Sequence, residues 1–215
     1  MKSETDAPRK VKRDTAPAAK TRGRPRSFDR EIALERAMQV FWRQGYEATS
    51  LNDLTAAMGI NPPSLYAAFG DKEHLFLAAV ERYENSGRGP ARCVLEEEPT
   101  ARAAVDRMLK ETAIELAKTS QPKGCMLITA ATNCSASSAH IQAALAERRA
   151  EQKLRIKERI ARGVSSGELP RGTDAGALAD FYTTVLTGMS MQARDGATRK
   201  ALLATAEAAM RAWPE

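Results

Sequence analysis

Apolar positions recur along most of this chain at the three-to-four-residue spacing of helices, and no stretch holds the strict alternation of a strand. The first periodic segment begins near Asp29: Ile32, Ala33, Ala37, Val40 and Phe41 fall on one stripe, and Gly45 closes it. A second, short helix is predicted from Leu51 to Met58. Ser50 and Asp53 stand at its start as an S-x-x-D pair, in which each side chain can satisfy a free amide of the first turn. After the tight turn Gly59-Ile60-Asn61, a third helix is predicted over residues 62–69. Asn61 suits its N-cap, and Pro62 suits a first helical position, where a missing amide hydrogen costs nothing. Gly70-Asp71 breaks the chain again, and a fourth helix starts near Lys72. Residues 85–99 hold two glycines and two prolines and read as a connector. Longer helical segments are expected at about 100–119, 124–136, 138–163, 173–193 and 197–212, with the largest break at Gly163, Gly167, Pro170 and Gly172. The pattern predicts an all-α protein. Residues 1–27 form an arm, 28–85 a small N-terminal domain of helix-turn-helix type, and 86–215 a larger helical domain.

Charge adds information because it is unevenly spread. Residues 1–26 carry nine Lys/Arg against three Asp/Glu, which accounts for the whole formal charge of +6 and leaves the remaining chain neutral. A neutral body with a basic arm is attracted to phosphate and released by salt. The same composition also describes a solvated tail. No apolar run approaches the length of a membrane helix, and residues 1–26 lack a signal-peptide core, so the expectation is a cytoplasmic protein with no membrane partner. Cys93, Cys125 and Cys134 have neither zinc nor CxxC spacing, and His74 and His140 are isolated. No metal or cofactor is expected. With no nucleophile–base set and no phosphate loop either, an enzyme is disfavoured.

Two helices of about eight residues joined by a glycine-containing turn fit a helix-turn-helix. The second helix of such a pair must be short and exposed to enter a major groove about 12 Å wide. In the third helix Leu65 and Phe69, four apart, can face the core, which leaves Ser64, Tyr66, Ala67 and Ala68 for other faces. Helix starts at Ser50, Asn61 and Asp71-Lys72 offer amides for phosphate, and Tyr46, Thr49, Ser50, Tyr66 and Lys72 are candidate phosphate clamps.

These residues carry a resemblance. Ala37-x-x-x-Phe41 with Gly45-Tyr46, then Thr49-Ser50-Leu51, Ala57-x-Gly59, Leu65-Tyr66-x-x-Phe69 and Lys72-Glu73-x-Leu75 resemble, without a gap, the DNA-binding domain of the tetracycline-repressor (TetR) family. The resemblance implies that Tyr66 and Lys72 touch phosphate and that Asn61, Pro62, Pro63, Ser64 and Ala67 enter the groove of double-stranded operator DNA. Pro62-Pro63 removes two backbone donors, so readout there would lean on apolar contact with thymine methyls. Next to such a domain, Arg22-Gly23-Arg24-Pro25-Arg26 gains a sharper meaning. A flat cationic RGRPR segment suits a narrow minor groove, and the head needs the help, because residues 27–86 carry five Lys/Arg against nine Asp/Glu. For Arg22, Arg24 and Arg26 the DNA-contact reading is preferred; for residues 1–20 both readings stand.

In that family the second half holds a small-molecule pocket, and its last two helices build a homodimer. Leu178, Tyr182, Val185, Leu186 and Met189 form one stripe here, and Leu202, Leu203, Ala206, Ala209, Met210 and Trp213 another. Two such helices from each subunit can pack as a four-helix bundle. Part of either stripe can equally be core. Gly124-Cys125-Met126 resembles a Gly-Cys step in one branch of the family. Cys125 is placed at a helix N-terminus, where the dipole favours thiolate and permits redox control; against this, a free cysteine beside Met126, Leu127 and Ile128 reads more readily as packing. Thr129, Thr132 and Asn133 are candidates for a polar pocket or for local backbone bonds. The charged run from Arg148 to Arg162 reads as a solvated face. The resulting expectation is a repressor released from a palindromic operator by an inducer of unknown identity. The alternative is a DNA-binding regulator controlled by Cys125 oxidation or by a protein partner.

Overall fold

A computed structural model describes residues 28–87 and 94–214, and every described regular element is helical. Helix α1 spans Arg30–Gln44, α2 Leu51–Met58, α3 Pro62–Phe69 and α4 Lys72–Asn85. The Asp29 carboxylate starts α1 by accepting the amides of Glu31 and Ile32 at 2.8 and 3.1 Å. Gly59, at φ +69°, ends α2 in the left-handed region that favours glycine. The core of this head is a dry cluster of α1 and α4 side chains, with Leu54, Met58, Leu65 and Phe69 closing it from α2 and α3. At its centre Phe41 meets Phe76 edge-on, ring centroids 5.0 Å apart, and Tyr46 meets the same Phe76 ring. Ile32, expected on the inner stripe, instead points outward and is half exposed.

The larger domain follows with α5 Val94–Glu97, α6 Ala101–Leu116, α7 Met126–Thr129, α8 Ala139–Ser165, α9 Ala175–Arg194 and α10 Arg199–Met210. Helix α6 lies in the middle, against α8, α9 and α10. Its first turn is capped from a distance: the Glu168 carboxylate accepts the amides of Ala101 and Arg102 at 2.7 and 2.9 Å.

Two segments depart from the sequence pattern. The connector contains α5, whose Val94 and Leu95 are buried. The helix expected over 124–136 is a single turn. Gly124 enters it at φ +81°, and the Thr129 hydroxyl donates back to the Cys125 carbonyl at 3.0 Å. The Ala130 carbonyl is taken by the Tyr46 amide at 2.7 Å instead of by a continuing helix. The Thr-Asn-Cys-Ser run after it consists largely of residues whose side chains compete for backbone groups. This short turn is also the joint between the head and the larger domain, because the Trp42 indole N–H donates to the Gly124 carbonyl at 3.0 Å.

Candidate nucleic-acid interface and sensor cavity

Helix α3 is short and leaves most of its residues on the surface. The Asn61 side chain caps it by accepting the Ser64 amide at 2.9 Å, and Pro62 and Pro63 open it. Leu65 and Phe69 point into the core, while Tyr66 is half exposed and Asn61, Pro62, Pro63 and Ala67 lie on the surface. Lys72, at the start of α4, holds its ammonium 4.4 Å from the centre of the Tyr46 ring. Burial there lowers the Lys72 pKa and raises that of Tyr46.

Other sequence-derived clamps change role. Thr49 is 1% exposed, and its hydroxyl donates to the Gly45 carbonyl at 2.6 Å, so it fastens the turn after α1 and does not reach the surface. Ser50 is exposed, but its hydroxyl closes a capping box with Asp53, whose carboxylate takes both the Ser50 amide and the Ser50 hydroxyl. Those bonds hold the Asp53 carboxyl below its ordinary range. The Asp71 carboxylate fills the start of α4 in the same way, accepting the His74 amide. Of the three helix starts offered for phosphate, only that of α3 has no carboxylate at its cap or in its first turn. Arg22, Arg24 and Arg26 lie outside the described residues.

A cavity of about 30 Å³ lies in the larger domain with Tyr83 of α4 in its wall, lined otherwise by Thr112, Glu115, Leu116, Cys125, Ile128, Arg149, Gln152, Thr183, Leu186, Thr187 and Ser190. It lies where several inward stripes exchange apolar for polar residues at one level. On α8 the inward positions run Leu145, Arg149, Gln152, Ile156, so two polar residues interrupt an apolar face. Helix α6 supplies Thr112 and Glu115, and α9 supplies Thr183, Thr187 and Ser190. The Thr112 and Thr183 hydroxyl oxygens are buried without a hydrogen-bond partner. Most of these positions escaped the reading of the sequence, because one helix at a time a lone threonine or arginine looks like surface. The legible signal was the break in the α8 stripe. Arg149 and Arg159, assigned to a solvated face, both turn inward: Arg149 donates to the Leu127 carbonyl at 2.6 Å and Arg159 to the Glu98 carbonyl at 3.2 Å.

Of the five sequence-derived effector candidates, Cys125 alone lines the cavity. Met126 is fully buried in the core, Thr129 bonds its own turn, and Thr132 and Asn133 face outward. Cys125 does precede a helix, but a one-turn helix has little dipole to offer. Its amide donates to the Ser190 hydroxyl at 2.7 Å, and its sulfur accepts the Tyr83 hydroxyl at 3.3 Å. Burial pushes the thiol up and outweighs those bonds, so the group is held as a thiol.

The stripes offered as a dimer face also need correction. Tyr182, Leu186 and Met189 of α9, with Leu202, Ala206, Met210 and Trp213, are buried inside the subunit, and Leu178 and Val185 are half buried against the same core. They pack α9 and α10 onto their own neighbours. The outward face of α9 carries Phe181 (39% exposed) and Met191 (41%) with Thr184 and Gly188 between them, and α10 adds exposed Ala204 and Ala208.

Residues 33–79 match the model of the tetR family of bacterial regulatory proteins, and residues 102–212 match a tetracyclin repressor-like C-terminal domain. This chain belongs to the TetR family of transcriptional regulators. Among curated TetR regulators it is 39% identical to the transcriptional repressor ComR of Escherichia coli K12, over 91% of this chain and 94% of ComR. It is 32% identical to the repressor BdcR of the same organism, over 86% of this chain and 88% of BdcR. The solved TetR regulator CifR, a cysteine mutant complexed with 26-base-pair operator DNA, is 47% identical. That match covers 89% of this chain and all of the CifR chain, with a TM-score of 0.85. Among the described residues of this TetR protein no helix is long and apolar enough to cross a membrane.

Proposed function

We propose that this regulator is a homodimeric repressor that holds a palindromic operator through α3 and is released when a small molecule enters the cavity of its larger domain. The observation that carries the coupling is the placement of α7. Its segment lends Cys125 and Ile128 to the cavity wall, and through Gly124 and Ala130 it holds Trp42 and Tyr46 of the head. A cavity of about 30 Å³ holds only a couple of waters at the roughly 10–15 Å³ that one requires. Any larger guest therefore displaces a wall, and α7 is the shortest element in that wall. Moving it moves the end of α1, on which α2 and α3 are packed, and so changes the separation of two reading heads that must match successive grooves about 34–36 Å apart. The dimer is assigned to the outward face of α9 and α10, where Gly188, Ala204 and Ala208 let helices approach closely between Phe181 and Met191. Tyr66 and Lys72 contact phosphate, and Arg22, Arg24 and Arg26 contact the minor groove.

A second reading makes Cys125 the sensor. The Tyr83 hydroxyl on its sulfur favours it, and the raised thiol pKa opposes it. An unchanged release response in Cys125→Ser excludes it.

The test titrates the full chain, and the chain lacking residues 1–26, against its upstream intergenic DNA and a scrambled duplex at fixed salt. Two subunits bound per site, with strong preference for the intergenic duplex, is the expected result. Truncation that weakens both duplexes equally assigns the arm to phosphate, whereas selective loss on the operator assigns it to the groove. If neither this duplex nor any genomic fragment is selected, the DNA-binding reading is lost.

A further inference from the structure

The polar belt around the cavity has an unbalanced charge. Glu115 is the carboxylate in the lining, and it is already engaged: one oxygen is paired with Lys118, and the other accepts the Gln121 amide at 3.0 Å. Arg149 is the guanidinium, and among the described residues no carboxylate pairs with it. Among the described residues its one hydrogen-bond partner is the Leu127 carbonyl. Beside it, the Gln152 amide makes no hydrogen bond within the described chain. The Thr112 side chain is more than nine-tenths buried, and its hydroxyl, like that of Thr183, is sealed from solvent with nothing to bond. A buried hydroxyl without a partner is a standing cost, and a half-buried guanidinium without an anion is another. Burial lowers the Arg149 pKa, the direction expected of a cation stripped of water with no counter-charge. Between these groups Leu116, Ile128 and Leu186 supply an apolar wall.

We propose that this cavity takes a small amphiphile with an anionic head, in the simplest case a short-chain carboxylate. Arg149, Thr112 and Thr183 hold the head, and Leu116, Ile128 and Leu186 take the chain. This rests on the ligand-responsive reading above. A guanidinium only donates, and two hydroxyls and an amide can each turn a donor inward, so the belt offers four donors to one acceptor group. A cationic guest would meet Arg149 head-on. A long hydrophobe would leave every one of these polar groups unpaired. A carboxylate uses both of its oxygens and restores neutrality, which is the arrangement in which buried charge is tolerated.

The probes are sodium butyrate and its neutral isostere butyramide, added to the full-length dimer. Binding is read by calorimetry, and release by anisotropy of a labelled operator duplex. Butyrate is expected to bind and to release DNA at concentrations at least about tenfold below those butyramide needs, the scale of one charge-assisted contact. The double variant Thr112→Val/Thr183→Val should weaken butyrate by about tenfold without lowering the melting temperature, because it removes hydroxyls that have no partner in the free protein. Arg149→Met should erase the preference for butyrate, and Arg149→Lys should keep it. If butyramide performs as well as butyrate, the anionic class is overturned while the effector cavity stands; if the threonine variant binds butyrate unchanged, the seat of the head at Thr112 and Thr183 is overturned. If no compound in a panel of anionic and neutral amphiphiles shifts the melting temperature or releases DNA, the ligand-responsive reading falls with it.

Discussion

The head and the sensor domain are both helical bundles, yet they put their polar residues in opposite places. In the head every fully buried large side chain is apolar or aromatic, and the polar residues of α2 and α3 face out. In the sensor, Thr112, Glu115, Arg149, Gln152, Thr183 and Ser190 are gathered at one level of the interior. A dry core gives one rigid arrangement, which is what a surface that must register with DNA needs. A core with unmatched polar groups has a second, more favourable arrangement once those groups are matched, which is what a switch needs.

This contrast can be broken most directly at Phe41, at the centre of the aromatic cluster. Phe41→Ala should cost about 3–5 kcal/mol, the range for emptying a packed aromatic site, and abolish operator binding. Calorimetric unfolding measures it. A loss as small as that of a threonine-to-valine change in the sensor belt would mean that the head is no drier than the sensor. The joint between the two regions comes next. Gly45 has φ +81°, and a Cβ there would lie 3.2 Å from the Ala130 carbonyl oxygen that accepts the Tyr46 amide. Gly45→Ala should therefore cost about 1–2 kcal/mol in backbone strain and should weaken the response to a bound effector more than it weakens DNA binding itself. An unchanged effector response would place the coupling elsewhere, for instance at the contact between His140 and Glu73.

The smallest effect is electrostatic and confined to the surface of the head. The His74 amide, and then its ring, hold the Asp71 carboxyl below its ordinary value, while Asp71 holds the His74 imidazolium above its own. The His74 share of this stability is present below its unfolded value and is lost as pH rises through the raised folded one. The Asp71 share is present above its unfolded value and is lost as pH falls through the lowered one. The pair is strongest from about pH 4 to 6.5, between the two unfolded values. An NMR titration should find His74 above its ordinary midpoint, and Asp71→Asn should bring it back. A midpoint unmoved by that change would remove the pair as a cause.

The same contrast explains what could be read from the chain. The helices of the head were legible to within a residue or two because caps, glycines and apolar spacing all agree there: Ser50 with Asp53, Asn61 with Pro62, Leu65 with Phe69. In the sensor, the turn at 126–129 was hidden because an apolar run gives no warning that its last carbonyl is claimed by a residue more than eighty positions earlier. The cavity was hidden because its polar residues come from five separate stretches of chain, each contributing one to three. The stripes offered as a dimer face are largely covered within the subunit, and the sequence could not show it for a related reason. Periodicity shows that a helix has an apolar face, and only packing shows which neighbour covers it.

The joint also has an optical consequence. The chain has two tryptophans. Trp42 lies in the joint, its indole bonded to Gly124 and its ring edge-on to Tyr83 at 4.9 Å, which in turn touches the Cys125 sulfur. Trp213 lies far along the chain, against Tyr182 in the last-helix core. In the proposed release, one fluorophore sits on the part that moves and the other on the frame, so an effector should change the colour and lifetime of Trp42 emission and leave that of Trp213 as it was.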